Sequence, residues 1–288
     1  MGDVTQPSAM PARHEGARDA ANGGTGSAAD NSIFVADLDK TYDTRDGTVD
    51  AVRSATFDVK DGEFVSLVGP SGCGKSTILQ ICAGLVAPTR GKVDVGGVQA
   101  RPGRREVGIM FQAPVLLPWR TVSDNVLLPT EIFKMEKKPA RKRALELLEL
   151  VGLSGFEDKH PWELSGGMQQ RASLARVLVA DPNILLMDEP FSALDEFTRE
   201  RLNLELAKIH ESFGRTVLYV THNIEEAVFL SDRVVVMKPH PGEILEIVET
   251  GLPRPRKLEV LQEAGTLELV IKIRQMLFGH HGGPEEEA

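Results

Sequence analysis

Residues 69–77, Gly-Pro-Ser-Gly-Cys-Gly-Lys-Ser-Thr, constrain this chain more than any other stretch. They stand between an apolar, β-rich run at residues 64–68 and a helical run at 78–85. The spacing G-x-x-x-x-G-K-[ST] after a strand and before a helix is a phosphate-cradling pattern. Its glycines let successive backbone N–H groups turn inward around an anion. The helix N-terminus adds partial positive charge. Lys75 is placed to reach the β- and γ-phosphates of a nucleotide, and the Ser76 hydroxyl to bind Mg2+. Gly69, Pro70, Ser71, Gly72, Cys73, Gly74, Lys75, Ser76 and Thr77 are therefore read together as a nucleotide-binding loop. Cys73 fills a free position of the loop, and Cys82 on the following helix is read as core.

A second chemical signal lies at residues 184–190, Ile-Leu-Leu-Met-Asp-Glu-Pro. Here an apolar strand ends in two carboxylates. Beside a phosphate loop, an Asp at such a strand end holds Mg2+, which assigns Asp188. The adjacent Glu189 can polarise an attacking water as a general base.

The remaining pattern alternates strands and helices. Short β-rich runs fall at residues 33–36, 51–59, 92–95 and 107–111, with late strands at 234–237 and 244–248. The apolar runs 184–187 and 217–220 suit strands buried on both faces of a parallel sheet. Residues 123–151 are helical in pattern, with Pro139 as a helix start. Leu145, Leu147, Leu148 and Leu150 form an apolar stripe there. Further helices are expected at 166–180, 196–213 and 224–230. Residues 1–31, rich in Gly, Ala and small polar residues without an apolar leader segment, are expected to be a disordered extension. Pro253-Arg254-Pro255-Arg256 reads as a stop. The amphipathic run 257–278 after it is too short for a domain and is expected to pack back on the body, steadying the fold. Residues 285–287 read as a solvated end. The expected organisation is thus an extension at 1–31, a catalytic domain at 32–252 with a helical subdomain at about 119–180, and a helical tail at 253–288.

Charge and composition exclude some classes. Lys and Arg number 33 against 42 Asp and Glu, a net charge of −9, which argues against general nucleic-acid binding. No run approaches the roughly 18 apolar residues of a membrane span, so service to a membrane would come from its surface through a partner. Two cysteines make neither a disulfide framework nor a zinc site, and they suit a reducing cytosol.

Leu164-Ser165-Gly166-Gly167-Met168-Gln169-Gln170-Arg171 resembles the signature motif of the ABC ATPases. It precedes the Asp188–Glu189 strand, as the family order has it. Gln112 resembles the family's Q-loop glutamine, Ser192-Ala193-Leu194-Asp195 its D-loop, and His222 its switch histidine. Tyr42 stands where the family places an aromatic under the adenine. The likeness covers about residues 33–252. It implies an α/β P-loop NTPase fold with a mostly parallel core sheet, an antiparallel β subdomain and an inserted helical subdomain. It implies ATP and Mg2+ as ligands, with the metal at Ser76, Gln112 and Asp188. Catalysis would fall to Glu189, His222, Gln112 and Lys75. The nucleotide would meet Tyr42, the phosphate loop, and Ser165, Gly166, Gly167, Gln169 and Asp195. In the family the signature helix faces the γ-phosphate held by the opposite subunit, so a head-to-tail homodimer with two equivalent sites is implied.

Residues 116–126, Leu-Leu-Pro-Trp-Arg-Thr-Val-Ser-Asp-Asn-Val, are similar to the importer ATPases for nitrate, sulfonate and taurine, as are residues 237–243 and 252–256. That likeness implies transmembrane permease subunits, an extracytoplasmic solute-binding protein acting indirectly, and a peripheral place on the cytoplasmic face of the inner membrane. Trp119 is open between subdomain packing and partner contact. The alternative is a soluble ABC ATPase that remodels a protein or nucleic-acid complex. It is disfavoured by the lack of a second cassette or coiled-coil insertion. His210, His240, His280 and His281 have no setting like that of His222 and are read as surface residues.

Overall fold

The computed structural model describes residues 31–279 except positions 46 and 193. The extension expected at 1–31 lies outside the described residues apart from Asn31, which opens the first strand; the end at 285–287 and His280 and His281 also lie outside. Along the chain, β1 (Asn31–Thr44) and β2 (Gly47–Lys60) form a long hairpin. β3 (Phe64–Val68) then enters the phosphate loop and α1 (Lys75–Cys82). β4 (Arg90–Val95), β5 (Val98–Gln99) and β6 (Val107–Met110) follow. Three helices come next, α2 (Val122–Ile132), α3 (Lys137–Leu150) and α4 (Gly166–Val179). The chain returns through β7 (Ile184–Asp188), α5 (Glu196–Phe213), β8 (Thr216–Thr221), α6 (Ile224–Leu230), β9 (Arg233–Lys238) and β10 (Glu243–Glu249). A 3-10 turn (Leu258–Gln262) and α7 (Ala264–Gly279) complete it.

Two sheets result. One is antiparallel, in the order β2-β1-β4-β5. The other runs β10-β9-β3-β8-β7-β6 and is parallel except at β10. β3 and β8 are buried along their whole lengths, as a parallel strand covered on both faces must be. The register sets Val68 beside Thr221, Val220 beside Asp188, and Met187 beside Met110. The C-terminal ends of β3, β8, β7 and β6 therefore lie abreast, about 4.8 Å from one to the next. An open parallel sheet binds its ligand outside such ends.

Three apolar clusters hold this together. Between the sheets, Ile33, Val35, Phe57 and Val59 meet Leu67, Ile78, Leu186 and Val220. Across the other face, α2, α3 and α4 supply Val126, Leu148, Leu174 and Leu178 to a cluster with Phe64, Met187 and Tyr219. The third joins α6 and α7 to β9 and β10 through Ala227, Val234, Val236, Val248, Val270 and Ile273.

Several elements depart from the sequence reading. The expected strand at 33–36 is part of a far longer β1, because Asp37 takes a left-handed φ of 46° that breaks the alternation without ending the pairing. The helix after the phosphate loop begins at Lys75, so Lys75 and Ser76 are its first residues. Pro139 falls in the first turn of α3, two residues after its start, where a missing N–H costs nothing. The stripe on α3 is half right: Leu147 and Leu148 are buried with Ala140 and Ala144, whereas Leu145 and Leu150 are exposed. They lie off the i, i+4 row that faces α4. The run 257–278 is broken at Glu263, whose extended backbone separates the 3-10 turn from α7.

Candidate nucleotide-binding site

The phosphate loop is held in shape by its own backbone and its neighbours. Gly74 caps α1 at a left-handed φ of 87°, and a Cβ there would come within 2.5 Å of the Ala51 carbonyl. No side chain caps this helix N-terminus, whose N–H groups remain for an anion. Lys75, 5% exposed, donates from Nζ to the Gly69 carbonyl at 2.8 Å and the Pro70 carbonyl at 2.9 Å. Cys73 Sγ is 3.6 Å from the same ammonium. Burial pushes the Cys73 thiol up from its usual range, so it stays protonated beside Lys75. Cys82 is buried too, and its thiol is pushed up to about 12 by burial.

The neighbouring strand ends bring in the other groups. Ser76 Oγ donates to Asp188 Oδ1 at 2.8 Å. Burial raises the Asp188 carboxyl above the usual range, opposed by the Ser76 hydrogen bond and reinforced by the charge of Glu189. Glu189 follows at a φ of 43°, rare for a residue with a side chain, and its N–H donates to the Val220 carbonyl. This turn directs its Oε2 to within 3.0 Å of His222 Nδ1, just beyond β8. Gln112, beyond β6, donates from Nε2 to Ser192 Oγ at 3.2 Å, and Ser192 Oγ donates to the Glu189 carbonyl at 3.0 Å. Gln112, Ser192, Glu189 and His222 thus form one hydrogen-bonded set, next in the chain to the Ser76–Asp188 pair, while Lys75 bonds within the phosphate loop.

Ser76 Oγ and Asp188 Oδ1 are hard oxygen donors side by side at a helix start. That set fits Mg2+, which takes one or two carboxylates and completes its shell with water and phosphate. Accordingly, among the described residues no group of three or more His, Cys, Asp or Glu side chains could hold a metal ion alone.

The signature residues occupy a separate helix start. Ser165 caps α4, its Oγ accepting from the Met168 N–H, and Gly166 and Gly167 open the helix. Gln169 turns its amide back onto the Pro161 carbonyl at 3.0 Å, closing the turn before α4. Asp195 caps α5, and hydrogen bonds from the Thr198 side chain and N–H hold its carboxyl below the usual range. Tyr42 lies half-buried on β1, with Lys40 Nζ 4.7 Å from its ring centre. Trp119 is 72% exposed, so it packs into no subdomain core.

One site-forming contact was not legible in the sequence, and one histidine was misplaced by it. Gly242, at the tip between β9 and β10, exchanges backbone hydrogen bonds with Ala51 and Arg53 and leaves no room for a Cβ beside the Cys73 carbonyl. Its position behind a phosphate loop 170 residues away leaves no local mark. His210 is a correction: it is buried on the inner face of α5, edge-on to Phe64, with Nε2 3.1 Å from the Gly62 carbonyl. The helical period carries it inward with Leu206 and Ala207.

A phosphate loop on an α/β sheet, with an Asp–Glu strand end, a histidine and a glutamine abreast of it, defines a nucleotide-hydrolysing P-loop cassette. A family model described as ABC transporter matches residues 52–192. An uncharacterized ABC transporter ATP-binding protein of Methanocaldococcus jannaschii is 47% identical over 224 residues, 78% of this chain and 84% of that protein. The aliphatic sulfonates import ATP-binding protein SsuB of Bacillus cereus is 40% identical over 225 residues, 78% of this chain and 88% of that protein. Among solved structures, the dimeric ABC transporter cassette MJ0796 matches with a TM-score of 0.69 at 36% identity, covering 77% of this chain and all of that one. The same cassette is also solved as a dimer in a post-hydrolysis state with ADP and Pi. The chain belongs to the ABC transporter ATP-binding proteins, and it is an ATPase.

Proposed function

We propose that this chain is the energy-supplying subunit of an ABC importer, working as a head-to-tail pair on a separate membrane permease that takes up a small solute of the nitrate, sulfonate or taurine kind. The observation that carries the hydrolytic part is the Glu189–His222 contact beside the Ser76–Asp188 pair, all at the ends of strands flanking one phosphate loop. In this reading Lys75 and the backbone N–H groups of residues 69–77 hold the phosphates. Ser76 and Asp188, with Gln112, hold Mg2+, which when bound would offset charge on the leaving phosphates. Glu189 accepts the proton of the attacking water, and His222 donates to the γ-phosphate. Tyr42 lies under the adenine. Ser165, Gly166, Gly167 and Gln169 at the start of α4, with Asp195, complete the site of the second copy.

The importer assignment is supported by the likeness to SsuB. The permease is supported by exposed apolar side chains on the loop after β6, where Val115 is 58% and Trp119 72% exposed. No helix of the described residues is long and apolar enough to cross a membrane, so attachment at the cytoplasmic membrane face would come through the permease. The solute would reach that permease on an extracytoplasmic binding protein. The organisation supported is a catalytic body at 32–252, a helical subdomain at about 119–180 and a tail at 253–288.

The test is recovery of tagged Glu189→Gln protein with ATP from detergent-solubilised native membranes. A polytopic membrane protein recovered with it is the expected result, and mass spectrometry of that partner leads to the solute. Repeated recovery of soluble partners alone, with a working positive control, would replace the importer reading by a soluble remodelling ATPase.

A further inference from the structure

Two side chains of α4 reach across to the segment that follows β6. Gln170, 2% exposed, donates from Nε2 to the backbone carbonyl of Gln112 at 2.6 Å. Arg176, nearly two turns further along, donates from Nη1 to the Val115 carbonyl at 2.7 Å and from Nη2 to the Pro114 carbonyl at 2.8 Å. The second atom of the Gln170 amide, Oε1, is buried with no hydrogen-bond partner among the described residues. Turning the amide over would set that oxygen against the Gln112 carbonyl, so the single bond fixes its orientation. Leaving a buried carbonyl unpaired is unfavourable. A leucine of similar volume would avoid that cost, so packing alone does not account for a glutamine here. Burial also lowers the Arg176 guanidinium below its usual range, a second cost borne at the same joint.

The segment held in this way touches the hydrolytic set at its other end. Gln112 Nε2 donates to Ser192 Oγ at 3.2 Å from an exposed position. The bonds from Gln170 and Arg176 are shorter, and their donor side chains are more deeply placed. Under strain the exposed Gln112–Ser192 bond yields first. Ser165 caps α4, the helix that carries both Gln170 and Arg176.

We propose that Gln170 and Arg176 are positioning residues that join residues 112–115 to α4 as one rigid piece, so that a displacement of Gln112 is delivered to Ser165–Gly167 without loss. Each acts through the loop that it holds. The inference rests on the two-copy reading above, because only there does the start of α4 meet a phosphate.

The test compares Gln170→Leu and Arg176→Lys with the parent, using ADP affinity, KM and kcat for ATP, thermal unfolding, and ATP-driven dimerisation in a Glu189→Gln background. For Gln170→Leu we expect ADP affinity and KM within about twofold of the parent and kcat lowered at least about fivefold, the split that marks loss of an interaction needed after binding. Dimerisation should require at least about fivefold more protein, since the competent state is less populated. Arg176→Lys keeps a donor for one of the two carbonyls and should fall between. Parental kcat and dimerisation in Gln170→Leu overturn the inference. So does a parallel loss of ADP affinity and unfolding temperature in both variants, which marks a packing role. If the Glu189→Gln parent stays monomeric in ATP, the two-copy reading fails instead, and the kcat against ADP-affinity split still decides the joint.

Discussion

Glu189 holds a left-handed backbone that costs a residue with a side chain about 1–3 kcal/mol, and the Val220 carbonyl pins it there. The same turn faces its carboxylate to His222. Glu189→Gln keeps the volume and removes the proton acceptor; steady-state hydrolysis should fall at least about 100-fold while nucleotide affinity persists. Hydrolysis at the parental rate would remove Glu189 from the role of base. His222→Ala should lower kcat at least about tenfold, roughly 1.4 kcal/mol of transition-state stabilisation, as read by phosphate release at saturating ATP. An unchanged kcat would count against the histidine. Lys75, Ser76, Asp188 and Glu189 stand out in the sequence because each sits in a short local pattern, a glycine loop before a helix or two acids closing an apolar strand, whereas His222 is singled out only by the family likeness. The φ of Glu189 and the amide direction of Gln169 were not legible, because tertiary contacts set them.

Elements were legible in proportion to the regularity of their burial. α5 and α6 were placed to the residue because cap and period agree: Asp195 before α5, a left-handed Gly214 after it, and Asn223 before α6. β1 was cut short in the reading because its bulge at Asp37 disrupts the period-two pattern. α5 also carries a pH response. Its His210 lies below the ordinary histidine value of 6.5, first because of burial and then because of Arg254, with Asp232, the Gly62 carbonyl and Glu211 opposing. A depressed histidine leaves the folded state with fewer protons than the unfolded chain. Its contribution to stability is therefore complete above about pH 6.5 and is lost as pH falls toward the folded value. The unfolding midpoint should drop on acidification through that window. It should drop less in His210→Gln, whose amide can still donate to Gly62; parallel profiles for the two proteins would refute this. At the β9–β10 tip, a Cβ on Gly242 would lie 2.2 Å from the Cys73 carbonyl and 2.7 Å from that of Ala51. Gly242→Ala should destabilise by more than about 2 kcal/mol and weaken ADP binding. Gly265→Ala, where nothing lies within 4 Å of the added carbon, is the control. Equal unfolding midpoints in the two variants would show that the tip does not brace the loop.

For the molecule as a whole, the tail is part of the body. Arg256 Nη2 donates to the Ser231 carbonyl and the Arg256 N–H to Glu211 Oε1, each at 2.8 Å, while Arg254 Nη2 donates to Asp232 Oδ1 at 3.0 Å. Val270 and Ile273 of α7 then cover Val234, Val236 and Val248. Burying each aliphatic side chain is worth about 1.5–3 kcal/mol. Deleting residues 257–288 should therefore lower stability by at least about 3 kcal/mol in denaturant titration, with hydrolysis per folded molecule retained. Parental stability with lost transport would make the tail a coupling device rather than a support. The α/β architecture and its motif order were legible throughout, because buried parallel strands announce themselves as apolar runs. What packs across sheets was not, because no periodic pattern ties such pairs together, and some, such as Ile33 and Val220, lie more than a hundred residues apart. Gly242 is the clearest case. By bonding to β2 and crowding Cys73, it ties the phosphate loop to both sheets at once. That side of the nucleotide pocket acts as the fixed jaw of a vice. A pocket closed by movement would have to be closed from the side of α2, α3 and α4.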